Sequence, residues 1–175
     1  TTIEGQVSRM DRLVEQLLIL SRVEINTQHE SLQVVDMPDL IEQLIADSSW
    51  LNREKNHQIN VNIDQDIGLM GNDAELKSAC SNLLSNAIAY TSDNGTIDVS
   101  WCKQGENVAF VVKDNGVGIR PSDLKRLTER FYRVDKSRSR DTGGSGLGLA
   151  IVKHVANHHK AELIIKSKPG EGSTF

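Results

Sequence analysis

The chain has 175 residues, of which 38% are hydrophobic and 4% aromatic, so we expect one globular domain with a mainly aliphatic core, plus a further short segment. Its net charge of −4 at pH 7 argues against a nucleic-acid-binding protein. The sequence shows no signal peptide, no cysteine spacing motif and no apolar run near the roughly 18 residues that span a bilayer, so reduced thiols in the cytosol are expected.

A heptad-like apolar pattern near the N-terminus predicts a helix. Ile3, Met10 and Leu17 recur every seven residues, with further apolar residues between them. A single helix of this length is only marginally stable in water, so it should pack against a partner. That partner is another helix of the same bundle or a second chain, or alternatively the globular domain of the same chain.

The rest of the chain alternates between short strand patterns and helix patterns. The predicted strands have apolar runs or a period of two, and they cover residues 32–35, 58–63, 67–70, 96–103, 107–113, 162–167 and 173–175. The predicted helices have apolar residues at spacings of three and four or an early proline, and they cover residues 37–51, 73–90, 121–130 and 145–159. This mixed order predicts an α+β fold, a two-layer α/β sandwich with the helices on one face of the sheet.

Two asparagines, Asn82 and Asn86, lie in the interior of the helix predicted over residues 73–90. Their spacing of four places both amides on one side of the helix. Asparagine is a poor helix former, so two of them suggest a role for their carbonyl oxygens, and a neutral oxygen ligand suits Mg²⁺. The alternative is a pair of polar residues on a solvated helix face.

Two glycine-rich segments are the other candidate binding features. Asp114-x-Gly116-x-Gly118 follows a strand directly, and its carboxylate is suited to accept a hydrogen bond from an adenine-type amine; a plain strand-end turn is the alternative. Residues 143–148 hold four glycines at the start of an apolar helix, which favours anion binding, with a simple linker as the alternative. This segment is neither a Walker A loop nor a Rossmann fingerprint. The polar residues 133–144 between these segments are predicted to form a mobile loop.

Taken in order, these motifs resemble the N, G1, F and G2 boxes of the sensor histidine kinase catalytic domain, which belongs to the GHKL superfamily and has the Bergerat ATP-binding fold. The matching segments are Asn82-x-x-x-Asn86, Asp114-x-Gly116-x-Gly118, Phe131-Tyr132-Arg133 and Gly144-Ser145-Gly146-Leu147-Gly148-Leu149. Gly170-x-Gly172-Ser173-x-Phe175 resembles the next turn of the family, and residues 8–24 resemble the end of its dimerisation hairpin. Within the family, residues 127–136 are most similar to the sensor kinases of the phosphate regulon.

The resemblance implies ATP and Mg²⁺ as cofactors. Asn86 would be the Mg²⁺ ligand with Asn82 in support, and Arg133 would approach the terminal phosphates. The implied nucleotide-binding residues include Asp114, which would read the adenine amino group; they are Tyr90, Asp114, Gly116, Gly118, Phe131, Gly144, Ser145, Gly146, Leu147 and Gly148. Residues 133–144 would be the lid over ATP. These groups position the nucleotide and neutralise its charge, which is most of what phosphoryl transfer requires.

The resemblance also implies an organisation of the chain. Residues 1–27 would be the C-terminal part of a dimerisation and phosphoacceptor hairpin whose acceptor helix is missing, 28–31 a linker, and 32–175 the catalytic domain with its last strand truncated. The implied partners are that acceptor helix, a response-regulator receiver domain and a second copy of the chain bound through the N-terminal helix, with no nucleic acid. The implied location is the cytoplasmic portion of a bacterial inner-membrane sensor, with membrane contact only through a preceding segment.

The sequence departs from the family at two places. None of the five histidines lies in the His-Asp/Glu-x-Arg-Thr-Pro context of the family's phosphoacceptor. Ala89 occupies a place where many relatives carry Lys or Arg, so phosphate contact is expected from other residues, with Arg133, Lys136, Arg138 and Arg140 as candidates.

Two alternative functions remain open. The related gyrase, chaperone and mismatch-repair ATPases carry a glutamate one turn before the metal-binding asparagine, and this glutamate activates water. Here that place is Asn82, whose amide cannot act as a base, so phosphoryl transfer is favoured over hydrolysis. A non-enzymatic nucleotide-binding module is the other alternative.

The apolar pattern of the N-terminal helix predicts self-association. The stripe formed by Ile3, Met10, Leu17 and the apolar residues between them is too large to stay exposed on one helix. Because half of the family's hairpin is missing, we expect a weak or rearranged dimer. Sedimentation of the chain over a range of concentrations checks this, and a monomer at the highest concentration would contradict it.

Overall fold

The computed structural model of the protein describes residues 32–134 and 145–175. The predicted N-terminal helix, the linker at 28–31 and the lid residues 135–144, including Gly144, lie outside the described residues. Within the described ranges, no helix is both long and apolar enough to cross a bilayer.

The described residues form short and long elements in mixed order. They are β1 (Gln33–Val35), α1 (Met37–Asn52), β2 (Gln58–Ile63), β3 (Leu69–Gly71), α2 (Asp73–Tyr90), β4 (Thr96–Gln104), β5 (Asn107–Asp114), α3 (Pro121–Leu124), α4 (Gly148–His158), β6 (Lys166–Lys168) and β7 (Gly172–Thr174).

Within the part of the chain that the structure describes, the main sheet has five strands in the order β2-β4-β5-β7-β6. Strand β2 is parallel to β4, whereas the other neighbours are antiparallel, and β1 pairs with β3 in a separate antiparallel ribbon. Buried Ile97, Val99 and Trp101 alternate along β4 with more exposed residues, so one face of the sheet packs on the core. Buried side chains of α1, α2 and α4 complete that core, and the predicted α+β sandwich is confirmed.

Helix α2 lies at the centre of the helical layer and contacts both α1 and α4. The side chain of Asn72 caps it by accepting from the backbone N–H of Glu75 at 3.0 Å. At its other end, the Lys55 ammonium donates to the carbonyls of Ala89 and Thr91 at 3.0 and 3.1 Å. A cation there stabilises carbonyls that have no partner within the helix, and it complements the helix dipole.

The prediction of a helix over residues 121–130 is correct for the first turn and wrong beyond it. Helix α3 ends at Leu124, and the following N–H groups bond to carbonyls three residues back, as in successive turns. The buried carboxylate of Asp123 accepts from the hydroxyl of Tyr132 at 2.8 Å. Nine residues of straight helix would separate these two by about 13 Å, so this contact requires a folded-back chain.

Two further elements begin later than predicted. Helix α4 begins at Gly148, so residues 145–147 precede it in an irregular conformation. Strand β6 begins at Lys166, because only residues 166–168 pair with β7, and the apolar residues before it form no ladder. The prediction of a strand from residue 162 is therefore mostly wrong.

The cation at the end of α2 gives a stability prediction. Replacing Lys55 with Met keeps the length of the side chain but leaves two carbonyls without their charged donor. We expect the free energy of unfolding in urea to fall by about 1–2 kcal/mol. Lys103→Met, at an exposed position near the end of β4, is the matched control, and its effect should stay within about 0.5 kcal/mol. Equal effects of the two substitutions would contradict the capping role.

Candidate functional site

Helices α2 and α4 approach each other closely at Asn82 and Gly148. A Cβ atom at Gly148 would lie 2.7 Å from Oδ1 of Asn82, so only glycine fits there without displacement. The amide nitrogen of Asn82 donates to the carbonyl of Ser78 at 2.8 Å, which leaves its oxygen as the end that faces α4. Both groups are half-buried.

Asn82, Asn86 and Tyr90 follow one another at single-turn intervals along α2. Residues spaced by four share one side of a helix, and the two steps together span about 12 Å. Asn86 is half-buried, as Asn82 is, whereas Tyr90 at the end of the helix is 40% exposed. A single helix side therefore carries two amides and an aromatic ring.

The start of α4 is held against the segment that contains Phe131. The backbone N–H of Phe131 donates to the carbonyl of Gly146 at 2.9 Å. Gly146 has a φ of 76°, and a Cβ atom on it would lie 2.8 Å from the carbonyl carbon of Phe131. Leu147 is fully buried, and its N–H donates to the hydroxyl of Ser145 at 3.1 Å. Because Leu147 is the N-cap and has no polar side chain, the first turn of α4 lacks a side-chain cap.

Phe131 adjoins this helix start, and Arg133 follows it closely along the chain. Phe131 is 65% exposed and has a φ of 63°, an uncommon conformation for a residue with a bulky side chain. Arg133 is half-buried two residues further on. Between them, Tyr132 bonds to Asp123, and the guanidinium of Arg126 lies 4.2 Å from the centre of the tyrosine ring. These contacts fix the backbone that presents Phe131 and Arg133.

Asp114 ends β5 and is only 5% exposed. Burial raises the pKa of its carboxyl, while the backbone N–H groups of Gly116, at 2.8 Å, and Ser173 partly offset this. Since the folded-state pKa is raised, the protonated form is favoured by folding. This contribution to stability is complete below the usual aspartate pKa and is lost as the pH rises through the raised value.

The turn after Asp114 is packed against the end of α2. A Cβ atom at Gly116 would overlap the carbonyl oxygen of Tyr90, and that oxygen accepts from the N–H of Val117 at 3.2 Å. Gly118 has a φ of 65° and lies against the carbonyl of Lys168. Glycine at both positions thus lets the turn approach its neighbours closely.

Ser173 was not among the predicted site residues, although it lies in the segment that resembles a turn of the family and in the strand predicted over residues 173–175. In the structure Ser173 pairs with Asp114 across β5 and β7 and is 7% exposed. Paired residues on neighbouring strands have side chains on the same face, so its hydroxyl lies beside the carboxylate.

The described residues of the predicted site fall into two groups joined by α2. One end holds Tyr90, Asp114, Gly116 and Gly118, and the other holds Asn82, Phe131 and the residues from Ser145 to Gly148. Asn86 lies between the two ends. Amide oxygens are ligands that suit Mg²⁺, and the fixed orientation of the Asn82 amide makes this donor set compatible with that ion.

A second cluster, formed by Glu75, His158 and His159, also contains residue types that bind metals. The N–H of Asn72 donates to Nε2 of His159 at 3.0 Å, and Nδ1 of His159 faces the carbonyl of Val155 at 2.8 Å. Because a carbonyl only accepts, Nδ1 must carry the proton, and both ring nitrogens are occupied. His159 therefore joins the end of α4 to the start of α2 and is not available as a metal ligand.

Comparison with known proteins gives one family match and a similar relative. Residues 71–175 match the family described as histidine kinase-, DNA gyrase B-, and HSP90-like ATPase. The phosphate regulon sensor protein PhoR of Pseudomonas aeruginosa is 43% identical over 173 residues, which are 99% of this chain but 39% of that protein. The chain therefore spans about two fifths of that relative's length.

Two solved structures are also similar. The mycobacterial sensor histidine kinase MprB has a TM-score of 0.69 at 26% identity, covering 82% of this chain and 93% of that one. ShkA, solved in complex with AMPPNP, has a TM-score of 0.79 at 25% identity, covering 94% of this chain and 34% of that one.

The contact between Asn82 and Gly148 gives a prediction about coupling. Gly148→Ala should lower the free energy of unfolding by about 1–3 kcal/mol, because the new methyl group overlaps the asparagine oxygen. In an Asn82→Ala background the same change should cost much less. A double-mutant cycle by urea unfolding measures this, with Gly68→Ala as control, since a Cβ there meets its nearest atoms at 3.5 and 3.7 Å. Additive effects of the two substitutions would contradict the contact.

Proposed function

Because the chain belongs to the family of histidine kinase-, DNA gyrase B-, and HSP90-like ATPases, we propose that it binds Mg-ATP and transfers the γ-phosphate to a protein histidine. The observation that carries the proposal is the side of α2 on which Asn82, Asn86 and Tyr90 lie about 12 Å apart from end to end. That length suits a nucleoside triphosphate, with its base near Asp114 and its phosphates near Gly148.

The two ends of this side of α2 suit different parts of the nucleotide, one the adenine base and the other the phosphates. The carboxylate of Asp114 accepts from the exocyclic amine of adenine, beside Gly116, Gly118 and Tyr90. The uncapped first turn of α4, preceded by Ser145, Gly146 and Leu147, attracts phosphate oxygens. Asn86 would hold Mg²⁺ with Asn82 in support, and the ion neutralises phosphate charge when bound. Phe131 and Arg133 border the phosphate end, and Arg133 supplies positive charge.

Transfer to a protein is favoured over transfer to water by the residue one turn before Asn86. A hydrolase needs a base to activate water, and the side chain of Asn82 is not one, because its amide nitrogen only donates hydrogen bonds, here to the carbonyl of Ser78. Of the histidines in the described ranges, His57 is buried and bonds to the carbonyl of Ile88, while His154, His158 and His159 lie in α4 or directly after it. None of the histidines in the sequence has the context of the family's phosphoacceptor, so the acceptor in our proposal is a histidine on a separate helix.

The place of this activity in the cell is also part of the proposal. The relative from Pseudomonas aeruginosa is named as a phosphate regulon sensor, which supports a role in phosphate-starvation signalling. The phosphorylated histidine would pass its phosphoryl group to a response-regulator receiver domain. The domain would act on the cytoplasmic side of a bacterial inner membrane, as a homodimer formed through the N-terminal helix.

Base recognition gives the first test. Asp114→Asn replaces an acceptor with an amide that presents a donor to the adenine amine, so ATP affinity should fall by about 1–3 kcal/mol in calorimetric titrations. Asp98→Asn, on the other face of the same sheet, is the control. Since burial raises the pKa of Asp114, the wild-type affinity should also fall as the pH is lowered, beginning above the usual aspartate range. Unchanged ATP affinity in Asp114→Asn would show that Asp114 does not recognise the base.

Phosphoryl transfer gives the second test. Incubated alone with γ-labelled ATP, the chain should take up no acid-labile label and should release phosphate slowly. When a separate polypeptide carrying the acceptor helix is added, that helix should be labelled. Asn86→Ala should abolish this labelling, whereas Asn157→Ala, at an exposed position of α4, should not.

Each contrary result has a distinct meaning. Acid-labile label on the chain alone would contradict the separate acceptor. Rapid phosphate release without an acceptor would favour an ATPase. Undiminished labelling with Asn86→Ala would show that the metal assignment is wrong.

A further inference from the structure

The hydroxyl of Ser167, in the edge strand β6, has three hydrogen-bond partners. It accepts from the backbone N–H of Ile119 at 2.8 Å and donates to the carbonyl of Gly172 at 2.9 Å. Its third neighbour, at 2.9 Å, is the hydroxyl of Ser173. Ser167 belongs to none of the motifs in the sequence, and only the pairing of β6 with β7 brings it to this place.

The number of hydrogens settles the direction of the third bond. A serine hydroxyl has one hydrogen and two acceptor sites. A carbonyl only accepts, so the hydrogen of Ser167 is committed to Gly172, and the amide of Ile119 occupies one acceptor site. The remaining contact is satisfied only if Ser173 donates to Ser167. The single hydrogen of Ser173 is then directed away from any ligand, and its oxygen can only accept.

Asp114 lies beside Ser173, because the two are paired residues of β5 and β7. Both are nearly buried, and an ionised carboxylate also only accepts. Two acceptors therefore lie next to each other at the base-binding end of the site. The two N–H bonds of an exocyclic amine can satisfy both acceptors, whereas an oxo group at the same place would present a third acceptor.

We propose that Ser167 is a specificity-determining positioning residue, which selects a nucleotide with an exocyclic amino group over a 6-oxo purine by fixing the Ser173 hydroxyl as an acceptor. This inference rests on the proposed binding of ATP at Asp114. Ser167 does not touch the nucleotide; it acts through Ser173. Without its oxygen, the Ser173 hydroxyl is free to rotate and to donate toward an oxo group.

The test compares the affinities of the full chain for Mg-ATP and Mg-ITP by calorimetry. Ser167→Ala should lower the preference for ATP over ITP by about tenfold, the size of one mispaired hydrogen bond. Ser167→Thr retains a hydroxyl on a strand residue and should keep the wild-type preference. Ser100→Ala, at a half-buried position on the other face of β4, is the matched control and should also keep it. A loss of fold stability alone would lower both affinities and leave their ratio unchanged.

Ser173→Ala provides a second route if Ser167→Ala does not fold. It removes the acceptor itself, so it should reduce the same preference by a similar factor. An unchanged ratio of the affinities for ATP and ITP in Ser167→Ala overturns the inference. If Ser167→Ala does not fold, the same result in Ser173→Ala overturns it. In either case the proposal that the chain binds ATP is not affected. If the wild-type chain binds neither nucleotide, the proposed function itself fails.

Discussion

The close approach of Gly148 to the amide oxygen of Asn82 is the constraint on which the rest of the candidate site depends. It sets the distance between α2, which carries both asparagines, and the uncapped first turn of α4. A side chain at position 148 would overlap the amide oxygen of Asn82, so either that amide or one of the two helices would have to move. Glycine at position 148 therefore serves both packing and the proposed function, because it permits the contact between the helices and leaves the start of α4 open to an anion.

Contacts at both ends of α2 keep this helix in place. At its start, the N–H of Asn72 donates to His159, so the end of α4 is bonded to the beginning of α2. At its finish, the ammonium of Lys55 and the ring of His57 bond to the last carbonyls of the helix. These bonds come from residues outside the recognised motifs, which indicates that positioning of the site is distributed over the fold.

The sequence predicted the elements whose signal is local. The bounds of α2 and of β2 agree with the structure, because each has a clear apolar period. It failed where one distant contact decides the conformation, as when the bond from Tyr132 to Asp123 ends α3 after one turn. Likewise, Ser167 and Ser173 could not be placed near Asp114, because strand pairing is not encoded in any short segment. The glycines at 146 and 148 were predicted as an anion site, yet their fit against Phe131 and Asn82 needed the fold.

In the proposed function, the metal and the terminal phosphates bind between α2 and α4, at Asn86. Paramagnetic relaxation tests this directly, because Mn²⁺ bound in place of Mg²⁺ broadens the NMR signals of nearby nuclei. In the presence of ATP, the side-chain amide signals of Asn86 should broaden at the lowest Mn²⁺ concentration, followed by the backbone amide of Gly148. Signals of Gln58, at the start of the edge strand β2, should persist. If the earliest broadening falls instead near Glu75 and His158, or if ATP does not change the pattern, the account is contradicted.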